Sequence, residues 1–228
     1  EAALRFLESV LGPSDRAFIM AFHSEGRLLQ PPTSDHELLR RTIMSLQLQP
    51  QAPTAVHDAM ILGLLQFEGV RGRRALIMFT DGLDQGSRYN ADDLTAMSRR
   101  SNVPVYIVTP PLPTVATVRQ SVATPTVRPD SQPGVARPPT MTPIVIRKLE
   151  PRAEKLYEVA DASGGRLHEV GRLGALGKIY DSIGEALEAQ ALVTIRTDPA
   201  TKENEWRTID VDIAGAEVRA PAGYFAPR

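Results

Sequence analysis

Cysteine is absent from the 228 residues. That removes a disulfide framework, thiol catalysis and thiolate-held zinc together. No stretch is apolar for long enough to span a bilayer. An excess of either charge is missing too: 26 Lys and Arg stand against 27 Asp and Glu, a net charge of -1, so nothing general draws the chain to nucleic acid or an anionic membrane. A nucleotide-binding loop is also lacking. No Gly-x-Gly-x-x-Gly follows an apolar run, and Gly171 to Lys178 lacks the first Gly of a P-loop at the required spacing and has Ile179 where a Ser or Thr would hold magnesium. Ser24 and Ser87 have no nucleophile-elbow context. His23, His36, His57 and His168 fall in separate elements without metal-ligand spacing and read as turn or surface residues.

What is present is ordinary globular composition, 42% hydrophobic and 23% charged, in a length suited to one domain with appendages. Leu4, Leu7 and Leu11 repeat at helical spacing until Gly12-Pro13. Arg16 to Phe22 reads as a buried strand, His23-Ser24-Glu25-Gly26 as its turn, and Arg27 to Gln30 as a short returning edge strand before Pro31-Pro32. Thr33-Ser34-Asp35 offers caps for a helix from His36 to Leu46, and Thr54 is placed to cap the next helix. Ala75 to Phe79 is five apolar residues stopping at Thr80-Asp81-Gly82, the pattern of a strand buried on both faces. A helix over 91–100, with Asp92-Asp93 at its start, and a strand over 104–108 follow. Helices and apolar strands in alternation predict an α/β fold with a parallel sheet covered on both sides.

Ten of the 19 prolines fall between Pro110 and Pro151. Prolines that dense deny ladder hydrogen bonds and helix continuity, so 110–150 reads as a flexible, partly extended insertion. Regular order resumes with a helix over 151–162, a strand over 166–170 and a long helix over 176–191. The tail alternates at period two over 192–196, 206–213 and 216–220, which predicts three antiparallel strands with one polar face. The domain reading is therefore 1–191, with 192–228 as a C-terminal β extension.

Asp81 closes the strand of Ala75 to Phe79. In an open parallel sheet the carboxyl ends of the strands are where ligands bind, so Asp81 is either a ligand-facing carboxylate or the residue closing a turn ahead of Gly82. Thr54 is either a helix cap or a hydroxyl at the same sheet edge. Together they offer hard oxygen ligands of the kind Mg2+ or Ca2+ takes, though two protein oxygens bind weakly.

Pro53-Thr54-Ala55-Val56-His57-Asp58-Ala59, followed by Ala75 to Asp84, resembles the second and third metal-site motifs of von Willebrand factor type A (VWFA) domains. Further matches point to the bacterial VWFA-related domain proteins best represented in Acidobacteria. They are Gly12-Pro13-Ser14-Asp15-Arg16, Phe22-His23-Ser24, Pro32-Thr33-Ser34-Asp35, Asn102-Val103-Pro104-Val105-Tyr106 and the ending from Arg219 to Pro227. The resemblance covers nearly the whole chain outside the insertion. It implies a metal-ion-dependent adhesion site (MIDAS), in which an Asp-x-Ser-x-Ser loop, a Thr and an Asp hold a divalent cation and an acidic residue of a partner completes the coordination. Thr54 matches the Thr and Asp81 the Asp. The chain contains no Asp-x-Ser-x-Ser. The family places that loop on a first strand, which would lie between those of Arg16 to Phe22 and Ala75 to Phe79.

Glu1-Ala2-Ala3-Leu4 already looks helical, without Met or signal peptide, so the chain is expected to be a fragment lacking that strand. The expectation is thus a Rossmann-like three-layer α/β/α (vWA-like) domain with a C-terminal antiparallel extension. It would serve as a non-enzymatic adhesion module of the periplasm or cell exterior, using Mg2+, or Mn2+ or Ca2+, to bridge to a partner carboxylate. By itself this chain is expected to hold the cation weakly or not at all. The alternative is a structural or assembly domain of the cell envelope with a vestigial metal site.

Overall fold

The computed structural model describes residues 2–47, 53–112, 114–121, 142–149, 151–191, 193–194, 204–215 and 218–226. Helix α1 (Ala2–Val10) stops before Gly12, whose N–H donates to Asp15 Oδ2 at 2.9 Å. Strand β1 (Ala17–Phe22) turns back as β2 (Gly26–Thr33), antiparallel. The sequence reading ends β2 before Pro31-Pro32, but the strand runs through both. Ala17 pairs with Thr33 and Ile19 with Gln30, so three steps along β2 match two along β1, and the bulge takes up the prolines that cannot donate to the ladder.

Helix α2 (His36–Met44) is capped by Asp35, whose carboxylate accepts from Leu38 N at 2.9 Å. Then come α3 (Val56–Leu65), β3 (Leu76–Phe79), α4 (Ala91–Ser101) and β4 (Val105–Thr109). Asn90 and Asp93 form a reciprocal capping box on α4, which explains the acidic pair at that helix start. A ribbon of β5 (Thr114–Ser121) and β6 (Thr142–Leu149) leads to α5 (Pro151–Ala162), β7 (Arg166–Glu169), α6 (Leu176–Glu188), β8 (Trp206–Thr208) and β9 (Gly223–Phe225).

Strands β3, β4 and β7 form a parallel sheet in that order, with Leu76 opposite Val105 and Tyr106 opposite Arg166. β4 lies in the middle and is buried at every position. Its alternation sends Val105 and Ile107 to a core with Met60 and Leu64 of α3, Leu94 of α4 and Val159 of α5. Tyr106 and Val108 go to the opposite core with Phe6 of α1 and Tyr180 and Ile183 of α6. Truncating a fully buried residue such as Leu94 to Ala costs roughly 2–5 kcal/mol at such a site. A Cβ at Gly165 would overlap the Val105 carbonyl, so glycine is what lets β7 enter beside β4. The architecture is a three-layer, Rossmann-like α/β/α fold, its parallel sheet covered on both faces as the alternation predicts.

The sheet has a break. β1 and β2 form a separate two-stranded sheet, and among the described residues no ladder joins β1 to β3. Helix α3 packs on β1, β2 and β3, and α1 packs on both α2 and α6, so the helical layers bridge the break on both sides. Phe18 and Phe22 of β1 reach the α3-side core. This corrects the reading of two fully buried strands. All six β1 residues are only half-buried, and Phe79 of β3 is 43% exposed. Apolar strands without a neighbour on one edge cannot be covered by helices alone.

Two further readings change. The insertion is not wholly irregular: β5 and β6 pair over eight residues without a bulge, because Val115-Ala116-Thr117-Val118 and Ile144-Val145-Ile146 keep strand propensity despite the prolines around them. Residues 122–141 lie outside the described set. In the tail, the described pairing is β8 with β9 at Gly223–Phe225, a segment the period-two pattern does not flag. Residues 209–213 and 218–220 are not strands, and most of 192–196 lies outside the described residues.

Candidate metal centre at the carboxyl ends of β1 and β3

Three loops meet at the amino end of α3. Ala55 N donates to His23 O, just past β1, at 2.6 Å, and Gln85 N, past β3, donates to Thr54 O at 2.8 Å. β1 and β3 therefore bring their carboxyl ends to one edge, where Thr54 lies.

Thr54 does not cap the helix, contrary to the local reading. The cap position is Ala55, which has no side chain to offer, and Asp84 does the capping from the other loop. Asp84 Oδ1 accepts from Val56 N at 2.8 Å and His57 N at 3.3 Å, and also takes the Ser87 hydroxyl at 2.5 Å. Ser87 Oγ in turn accepts from Asp58 N at 3.1 Å. Asp58 then reaches back, accepting from Arg88 N and Tyr89 N at 3.0 Å each and from Arg88 Nε at 3.2 Å. Burial alone would raise the Asp58 carboxyl, but these donors outweigh it and hold it below the usual carboxylate range. Two carboxylates thus staple α3 to the loop after β3, and no local signal marks Asp84 for it because its partners lie 28 and 27 residues away.

The turn after β3 is as tightly specified. Thr80 N continues the ladder to Val108 O at 3.2 Å, Thr80 Oγ1 accepts from Gly82 N at 3.1 Å, and Asp81 Oδ1 accepts from Leu83 N at 3.1 Å. Gly82 has φ +80, a conformation that favours glycine, and a Cβ there would lie 2.7 Å from Leu112 Cδ2, so the end of that side chain would have to shift. Asp81 is exposed and its turn bond uses one carboxylate oxygen. Among the described residues the half-buried Thr54 hydroxyl has no hydrogen-bond partner. Asp81 thus closes the turn ahead of Gly82.

Thr54 and Asp81 thus stand on two loops joined by backbone bonds, and hydroxyl plus carboxylate is a donor pair suited to a hard cation. The set is short. Among the described residues no group of three or more His, Cys, Asp or Glu could hold a metal ion. His57 Nδ1 lies 3.2 Å from Tyr89 O and 3.8 Å from Asp84 Oδ2. His23 Nδ1 accepts from Ser24 N at 2.7 Å. Burial, then Arg166 and Arg219, push the half-buried His168 of β7 below the usual histidine range. Ser87 bonds Asp84 directly, and Ser24 Oγ lies 2.8 Å from His23 Nδ1.

No protein-family model and no curated protein matches the sequence. Solved structures do resemble it. An aerotolerance-related membrane protein from Bacteroides fragilis, carrying multiple mutations to serine, superposes with a TM-score of 0.53 at 19% identity, over 83% of this chain and 88% of that one. BatB from Bacteroides thetaiotaomicron gives 0.53 at 18% identity, over 82% and 86%. The likeness is one of fold. At such identity it carries no residue role across, and a looser overlap with the SpRpn10 VWA domain, TM-score 0.37 at 13% identity over 47% of this chain and 59% of that, adds no weight.

Proposed function

We propose that this chain is a protein-binding module whose contact face is the carboxyl edge of the sheet. The observation that carries the proposal is the meeting of the His23, Thr54 and Asp81–Gln85 loops at the amino end of α3, with the Thr54 hydroxyl and the exposed Asp81 carboxylate on joined loops. In this reading both are ligands of a divalent cation, Mg2+ or Mn2+ or Ca2+, which when bound gives an acidic side chain of the partner a coordination position to fill.

Two oxygens fall short of the six or more such a cation takes. The break between β1 and β3 is where we place the remainder. A strand there would run parallel to both, gain hydrogen bonds worth about 1 kcal/mol each on two edges, cover Phe79, and release its carboxyl end beside Thr54 and Asp81. The sequence resemblance supports this, since it implies a first strand ending in an Asp-x-Ser-x-Ser loop at that place. The parent protein is proposed to supply it, and the module to act outside the cytoplasm without catalysis. No helix among the described residues is long and apolar enough to cross a membrane.

Calorimetry with Mg2+ and Mn2+ on residues 1–228, and on the parent protein with the preceding strand, tests the reading. Weak or absent binding to residues 1–228 and tight binding to the longer form, lost in Asp81→Ala, is expected. Sub-millimolar affinity of residues 1–228 alone would refute the shared site. A longer form that binds its partner equally well with chelator and with Asp81→Ala would favour the assembly-domain alternative.

A further inference from the structure

The β5–β6 ribbon is an unbroken ladder that pairs with no third strand among the described residues. Eight residues of each strand pair from Thr114 opposite Leu149 to Ser121 opposite Thr142, and among the described residues neither outer edge is hydrogen-bonded to another strand. A two-stranded ribbon is marginal in water by itself and gains stability when a further strand adds to it. The ribbon leaves the body beside the candidate site. Leu112, just before β5, and Leu156, in the helix that follows β6, are the side chains nearest to Gly82, next to Asp81.

Charge says what kind of strand would add. The two strands carry Arg119, Arg147 and Lys148 and no acid, while the whole chain is at -1, which leaves -4 for everything outside the ribbon. Across the ladder Arg119 stands opposite Ile144, Arg147 opposite Ala116 and Lys148 opposite Val115, so no cation is matched by a charge on the other strand. Cations on a free edge are a common guard against pairing between copies, because like charges oppose across a ladder. The same charges favour an acidic strand over a basic one.

We infer that the β5–β6 ribbon is a docking arm that takes an extended acidic segment of a protein partner as a third strand, on the β6 side, where two of the three cations lie. The arm works without the cation site, and its test is run in chelator so that failure of the metal reading does not touch it.

Binding of a Val-Glu-Glu-Val-Glu-Glu-Val-Thr octapeptide, which carries carboxylates on both faces of an extended strand, to the 228-residue chain is measured by fluorescence anisotropy, against the same peptide with Lys for Glu, a short DNA duplex and phosphatidylserine vesicles. The acidic peptide is expected to bind alone, more weakly as salt rises. The paired Arg147→Glu and Lys148→Glu changes should weaken it about tenfold or more, and Arg119→Glu less. Arg147→Gln with Lys148→Gln removes the charge without adding repulsion, and covers the case in which the reversed pair does not fold. Equal binding of both peptides, acidic-peptide binding unchanged in the Gln pair, or binding of duplex or vesicles without the acidic peptide overturns the inference.

Discussion

Asp84 Oδ1 accepts a hydrogen bond from the Val56 backbone N–H at 2.8 Å, so the loop after β3 caps a helix that begins 28 residues earlier. Replacing Asp84 with Ala leaves Val56 N and His57 N without their acceptor and should cost about 1–3 kcal/mol by urea unfolding. Thr54→Ala removes no cap and should change stability by less than about 0.5 kcal/mol. A larger loss at Thr54 than at Asp84 would reverse the assignment.

Gly82 combines a left-handed backbone with a tight approach to Leu112. Gly82→Ala should destabilise the protein by about 1–3 kcal/mol and alter amide exchange at Asp81 and Leu83. Unchanged exchange there would contradict the packing described.

The Asp58 carboxyl is held below its usual range of 3.8 in the folded state. Its contribution is therefore present above the unfolded value and is lost as pH falls from about 4 through the folded value. Unfolding measured between pH 7 and 2 should show this loss, and Asp58→Asn should flatten that part of the acid limb while lowering stability at neutral pH. An unaltered acid limb would mean that the Arg88 and Tyr89 donors contribute nothing.

Trp206, the single tryptophan, reports on the tail. Its ring lies 4.9 Å from that of Phe225, Arg99 sits 5.4 Å above it, and Arg100 sits 4.6 Å above Phe225. Each cation–π contact is worth about 0.5–1 kcal/mol at such sites. Substituting both arginines with Ala should release the β8–β9 ribbon from α4, red-shifting Trp206 emission with little change in the main unfolding transition. A blue-shift or no change would show that other contacts hold the ribbon.

Much of this architecture is legible in adjacent residues. Ala75 to Phe79 and Pro104 to Val108 declare strands, Asp92-Asp93 a helix start, and Gly164-Gly165 the entry to β7, because each signal lies within one turn or one strand. Of the candidate pair, Asp81 at a strand end and Thr54 at a helix start are local patterns, and the structure puts them on loops that are bonded together. The capping role assigned to Thr54 failed because α3 takes its acceptor from a loop distant in sequence.

The sequence by itself determined the alternation of helices and strands, since apolar spacing sets which face of each element must be buried. Only the tertiary structure decided which edges are paired. Among the described residues β4 is enclosed while β1 and β3 each keep an unpaired edge, the proline-rich insertion still forms a ladder, and Asp84 rather than Thr54 caps α3. Each depends on a hydrogen-bond partner brought from a distant part of the chain, and periodicity carries no record of that partner.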